Sequence, residues 1–275
     1  MRPTSFRPFL SPVLPIFTVL VLAFCIPSIK AEDPWTDEAD LDRLIQANSL
    51  HLFGKGKVTI QDGTVEILLN KDGHLASAFR GKNIMDSTHP KLAGAERRFI
   101  KDGDSILPGL AGVAFGKGIW ESRFRLAGKI NVSFDIRMPG LVNSQSKPRV
   151  RILNKKGTGW ETTFFNTISR VAGGKSKGKM LTKDPKYRKP GPKWFPRTGE
   201  SIPISFGFDD DGLRVLFKKK ELVRTKKAKP KGGKVVIQFS KIVFTVQNLK
   251  ITGDLDRDWC KKRLRQLLKS GDLVR

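Results

Sequence analysis

Tyr187, Trp194 and Phe195 stand among lysines and arginines in a stretch, Arg170 to Arg197, that carries ten basic residues against the single Asp184. An aromatic face ringed by cations suits a polymer of rings and charges. A pyranose or a base can lie on the indole, while Lys and Arg meet sulfate, carboxylate or phosphate, Arg with two parallel N–H donors. This pattern makes Tyr187, Lys193, Trp194 and Arg197 the expected ligand-binding residues, with Trp160, Arg137 and Arg151 as further contributors. A second basic stretch, Arg214 to Lys234, holds ten cations against Glu221 alone. The competing reading makes these lysines a solvated surface and Trp194 the buried pin of a loop end.

Signals for catalysis are thinner. Glycoside cleavage needs two carboxylates held roughly 5 to 10 Å apart, and the strand-like segments offer only isolated acids, Glu66, Asp135, Glu161 and Glu200. No Glu-x-Asp-x-x-Glu run occurs. Asp135 beside Arg137 reads as a same-face ion pair. His51, His74 and His89 have no neighbouring Cys or His at metal-ligand spacing, and Asp209-Asp210-Asp211-Gly212 reads as a turn rather than a calcium loop, so neither a metal nor a cofactor is expected.

What must position these residues begins after residue 31. Arg2 and Arg7 precede an apolar run from Val13 to Ile26 that ends in Ser28-Ile29-Lys30-Ala31, a secretory signal peptide cleaved after Ala31. Cys25 follows Phe24, where a lipoprotein signal wants a small residue, so it reads as an ordinary leader residue. No second apolar run of spanning length follows, and the expected address is secreted, periplasmic or cell-envelope. Of 52 Lys and Arg residues, three leave with the leader, against 26 acids that all remain. A mature charge near +23 selects anionic partners rather than a fold. Cys260 is then alone, so packing rather than a disulfide must hold the domain.

Residues 32–54 read as a helical lead-in, capped by Thr36, with Leu41, Leu44 and Ile45 on one face. From residue 55 to 255 the hydrophobic period is two. Val58/Ile60 and Val65/Ile67/Leu69 flank an Asp62-Gly63 turn, and His74 to Phe79 continues as strand after Lys71-Asp72-Gly73. Ile130, Val132, Phe134, Ile136 and Met138 alternate strictly with polar residues, as do the segments near residues 150, 204, 215, 237 and 244. Residues 256–275 form a closing helix capped by Asp256, with Cys260, Leu264, Leu267 and Leu268 inward and basic residues outward. Many short alternating strands predict an all-β, two-sheet antiparallel sandwich with short helices at both ends.

Lys129 to Met138, the run Pro203 to Val223, and Val235 to Leu255 with its Val246-Gln247-Asn248-Leu249-Lys250-Ile251 stretch resemble the concanavalin A-like, laminin-G-like jelly rolls. Among these the chain is most similar to secreted bacterial 3-keto-disaccharide hydrolase-like domains. The resemblance covers about residues 55 to 255 and lies in strand order and spacing, without a catalytic motif. The expectation is a secreted basic sandwich that binds an anionic polysaccharide, sulfated or uronic, or another extracellular polyanion, without catalysis. A glycoside hydrolase of the family resembled is the alternative. A nucleic-acid-associated or envelope structural protein is the third reading, with nucleic acid the less favoured partner.

Overall fold

The computed structural model describes residues 33–138, 148–163, 170–174, 199–226, 228–230 and 232–275. Helices α1 (Glu38–Ala47) and α2 (Ser49–Phe53) lead into the hairpin of β1 (Lys57–Gln61) and β2 (Thr64–Leu69). Helix α3 (His74–Ala78) and the short strands β3 (Phe79–Gly81) and β4 (Ile84–Met85) follow. Then come helix α4 (Ala95–Phe99) and the small hairpin β5 (Lys101–Asp102) and β6 (Ser105–Ile106). The long strands β7 (Leu110–Ser122) and β8 (Leu126–Arg137) precede β9 (Arg149–Leu153), β10 (Gly159–Thr163) and β11 (Arg170–Gly174). Strands β12 (Ser201–Asp209), β13 (Gly212–Phe217), β14 (Lys220–Thr225) and β15 (Lys234–Leu255) complete the sheets before helix α5 (Arg257–Ser270).

Strand β15 joins the two layers. Its first half lies between β7 and β9, and its second half lies between β2 and β8. One layer therefore runs β3/β4, β7, β15, β9, β10, β11, and the other runs β1, β2, β15, β8, β12, β13, β14. Every pairing is antiparallel. The two apolar runs around residues 237 and 244 were expected as separate strands. Ser240-Lys241 between them contains no turn residue, and the chain absorbs the change of direction as an irregularity between Phe239 and Ile242.

The alternation that predicts the sandwich also fills it. Ile130, Val132, Phe134, Ile136, Phe206, Phe208, Val215, Phe217, Ile237, Phe239, Phe244 and Val246 are all at most 3% exposed. Trp120 meets Phe239 edge-on at 4.8 Å between ring centroids, and Trp160 on β10 meets Phe208 on β12 at 6.3 Å. The strands β10 and β12 are not sheet neighbours, so the second contact crosses the space between layers.

Several local expectations give way. The cap of α1 is Asp37, one residue later than Thr36, because its carboxylate accepts the Asp40 N–H at 2.7 Å. His74 to Ala78 is a helical turn, not strand: Gly73 takes a left-handed φ of 79° and starts it, burying Leu75 and Ala78. With α4 it places two short helices in the interior of the chain, away from the ends. Arg170 to Gly174, read as loop, pairs with β10 as an outer strand. At the closing end, Asp256 accepts from the Trp259 N–H and Gly271 ends α5 with φ 79°, while Cys260, Leu264 and Leu267 are buried. Burial raises the Cys260 thiol pKa to about 12, which leaves it an inert packing group.

Among the described residues no helix is long and apolar enough to cross a membrane.

Candidate functional site

Along β7 the residues alternate between two different apolar clusters. Ala114 and Trp120 belong to the main core, whereas Val113 and the partly buried Phe115 face the other way. That outer face has two halves. Over Val113, Phe115 and Val243 lies the stretch between β4 and β7, which brings Leu92, Ile100 and Leu107 down as a second small core. Gln247 ties it in place by donating to the Pro108 carbonyl at 2.9 Å.

Among the described residues the other half is open. An irregularity at Gly116, φ 75°, separates it from the covered half, and beyond it Ile119 and Glu121 point outward. Strand register then sets Arg80, Glu121, Val236, Arg151 and Glu161 in one row across β3, β7, β15, β9 and β10. The adjacent row is Ile119, Gln238, Arg149 and Thr163. Arg80, Ile119, Glu121, Arg151 and Val236 of these rows, with Gly81 and Leu153, line a cleft of about 470 Å³. Gly81 is required there, since a Cβ would stand 2.2 Å from the Ile119 carbonyl oxygen.

The cleft's charges are organised as two clamps. Glu121 holds Arg80 on one side and Lys234, at 3.1 Å, on the other. Glu161 is gripped by Arg151, with Arg149 at 3.8 Å. Burial alone would raise the Glu121 pKa, but the hydrogen bonds and charges of Arg80 and Lys234 outweigh it and hold it below the ordinary glutamate value. Four cations against two carboxylates leave the site net positive. The Arg80 side chain is 60% exposed and Arg149 40%, so both keep N–H donors facing solvent. Between them the floor is aliphatic: Ile119 is 53% exposed. The Gln238 side-chain oxygen is buried beside Arg149, with no hydrogen-bond partner among the described residues.

Such a site can bind but is poorly built to cleave glycosides. Glu121 and Glu161 are three strand spacings apart, about 14 Å at ~4.8 Å per strand, beyond the separation of either glycosidase geometry. The four acids singled out in the sequence each already have a partner. Glu66 pairs with Lys250, Glu161 with Arg151, and Glu200 with Lys218, while Asp135 accepts from Asn248 at 3.0 Å instead of pairing with Arg137. Asp209, Asp210 and Asp211 are bound by Arg214, Lys129 and Arg224, which makes the turn a salt-bridged hairpin end. Among the described residues no group of three or more His, Cys, Asp or Glu could hold a metal.

Of the residues expected to bind ligand, Arg151 lies in the cleft. Arg137 is on the outer side of β8, opposite Thr245 and close to Gly199, with its Nε buried and unpartnered. Trp160 is a correction: it is 8% exposed, and its indole N–H donates to the Lys229 carbonyl at 2.9 Å. A ring that fills the core has no face left for a sugar. Tyr187, Lys193, Trp194 and Arg197 lie outside the described residues. The residues that sequence reasoning missed, Arg80, Ile119, Glu121, Arg149, Lys234 and Val236, share no motif; only strand register collects them.

No protein-family profile matches the chain, and no curated protein matches it. Solved structures do. A carbohydrate-binding module from Bacillus subtilis is 10% identical, covers 51% of this chain and 86% of its own, and superposes with a TM-score of 0.38. A structure described as a native glycosidic hydrolase is 7% identical, covering 70% of this chain and 96% of its own, at 0.40. A tetrameric galectin from the sponge Cinachyrella is 14% identical over 48% of this chain and 96% of its own, at 0.34. The structures returned are jelly-roll, concanavalin A-like folds. All three TM-scores are below 0.5, and the sandwich described above rests on its own strand pairing.

Proposed function

We propose that the chain is an exported, basic β-sandwich that binds an anionic glycan, sulfated or uronic, across the open half of its outer face. The observation that carries the reading is the cleft itself: an aliphatic floor of Ile119 and Val236 between two cation-rich clamps. An apolar sugar face can rest on Ile119 while its acid group reaches Arg80 or Arg149. The mature charge near +23 adds long-range attraction for a polyanion. The leader ending at Ala31 supports a glycan met outside the cytoplasm. The carboxylate spacing supports binding without hydrolysis.

Titrating the mature protein with sulfated, uronic and neutral glycans of matched length, and with DNA, tests this. Anionic glycans should bind, neutral ones should not, and Arg80→Gln with Arg149→Gln should weaken the interaction without altering the melting temperature by more than a degree or two. Equal binding of neutral and anionic glycans removes the anionic specificity, and preference for DNA removes the glycan.

A further inference from the structure

The chain builds one turn twice from different residues. Both the β1–β2 and the β13–β14 hairpins close with two-residue loops, between Gln61 and Thr64 and between Phe217 and Lys220. In both, the two central residues have positive φ: Asp62 49° and Gly63 73°, Lys218 50° and Lys219 64°. This is the turn whose twist matches the strands, and it selects Asp-Gly or Asn-Gly because other residues crowd their own backbone there. The first hairpin conforms. The second places two lysines where each is strained.

Among the described residues the remaining non-glycine positions with positive φ are Asp62, Asn83 and Asn248, types whose short polar side chains tolerate it. Lys218 and Lys219 are the exceptions. Their conformation is imposed by the strands on either side, since Val215, Phe217 and Val223 are buried and the Lys218 N–H donates to the Pro203 carbonyl at 2.8 Å. Lys218, Lys219 and Lys220 are all exposed. Lys218 pairs with Glu200, but Lys219 and Lys220 have no ion-pair partner among the described residues, and the nearby Glu221 is turned to Arg214 and Arg224. A fixed tip thus carries unneutralised ammonium groups at the cost of strain, the combination found where strain is retained for function.

We propose that the tip of the β13–β14 hairpin is a second contact for the anionic polysaccharide, with Lys219 and Lys220 meeting its sulfate or carboxylate groups. The inference rests on the ligand class proposed above and not on the cleft. Separate contacts along one polymer raise its apparent affinity through effective concentration.

Three variants of the mature protein, titrated with a heparin-like sulfated polysaccharide across a salt series, test it. Lys218→Asn with Lys219→Gly relaxes the turn, and should raise the melting temperature by roughly 2 to 4 °C while weakening binding. Lys219→Gln with Lys220→Gln removes charge, and should weaken binding roughly two- to fivefold per ammonium and flatten the salt dependence. Lys55→Gln with Lys57→Gln removes equal charge from exposed positions elsewhere and should do less. The proposal is overturned if the relaxed variant binds like the parent, if it melts no higher, or if the charge variant loses no more than the control. Should the parent bind no sulfated polymer, this proposal and the cleft reading fall together. Should the Arg80 and Arg149 variant weaken binding while the hairpin variants do not, the hairpin proposal falls alone.

Discussion

The outer face of the first layer is one surface treated in two ways. Over Val113 and Val243 the chain folds its own segment back and buries Leu92, Ile100 and Leu107 against it. A few residues further along the same strands, Ile119 and Val236 are flanked by Arg80, Glu121, Arg149, Arg151, Lys234 and Glu161, and nothing among the lining residues fills the space. The covered half spends its apolar surface on stability. The open half retains an apolar floor under fixed charge, which is the composition of a surface kept for a partner.

The sharpest break in that comparison is a cavity in the covered half. Leu92 is fully buried, and Leu92→Ala should cost about 2 to 5 kcal/mol, because the segment over it can collapse only partly. Urea unfolding measures the cost. Glycan binding at the open half should survive; if it disappears at temperatures where the variant is still folded, the halves are coupled and the division is wrong.

The tether comes next. Gln247 is 7% exposed, donates to the Pro108 carbonyl and accepts from the Thr245 hydroxyl at 3.3 Å. Gln247→Ala removes the bond to the exposed Pro108 carbonyl, while the Thr245 hydroxyl keeps its bond to the Arg137 carbonyl at 3.4 Å, an expected loss of about 0.5 to 1.5 kcal/mol. Hydrogen exchange should then quicken in the segment between β4 and β7 before it quickens in β8 or β12.

Why one half was legible in the sequence and the other was not follows from what each is made of. Strict alternation from Ile130 to Met138 announces a strand with one wet face, and an Asp-Gly pair at 62–63 announces its hairpin, because these signals are local. The cleft is assembled from β3, β7, β9, β10 and β15, residues 80 to 238, and depends on which strand lies beside which. Arg151 was found because an outward arginine on an alternating strand is itself a local signal. Trp160 misled for the converse reason: its alternation put it on one face of β10, but only the register with Ile152 and the contact with Phe208 show that face to be the inner one. Lys218-Lys219 gave no turn signal, because the flanking strands override the residues' own preference.

Acid should affect the open half through Glu121. Its folded pKa is depressed, so its contribution to stability is present above the unfolded value near 4.5 and is lost as pH falls through the lower folded value. Glu121→Gln should therefore show a flatter loss of melting temperature below about pH 4.5 than the parent. It also releases Arg80 and Lys234 from their clamp. At pH 7 the variant should bind an anionic glycan more tightly; weaker binding would mean that Glu121 orients the cations rather than merely neutralising them.

The smallest expected stability effect is the most specific test of the comparison. Ile119 is 53% exposed, while Leu92 is at 0%. Replacing an exposed residue on an established strand changes stability by no more than about 0.5 kcal/mol, so Ile119→Ser should melt with the parent. The same change removes the aliphatic floor of the cleft without touching its charge. Affinity for an anionic glycan should fall, and its salt dependence should stay as it was, since no ion contact is lost. A neutral glycan, lacking the charge term, should show no binding to either protein. If Ile119→Ser binds as the parent does, the ligand meets only the cations and the apolar floor is incidental. If it melts well below the parent, Ile119 is part of a packed surface, and the open half is closed by more of the chain than the residues lining the cleft.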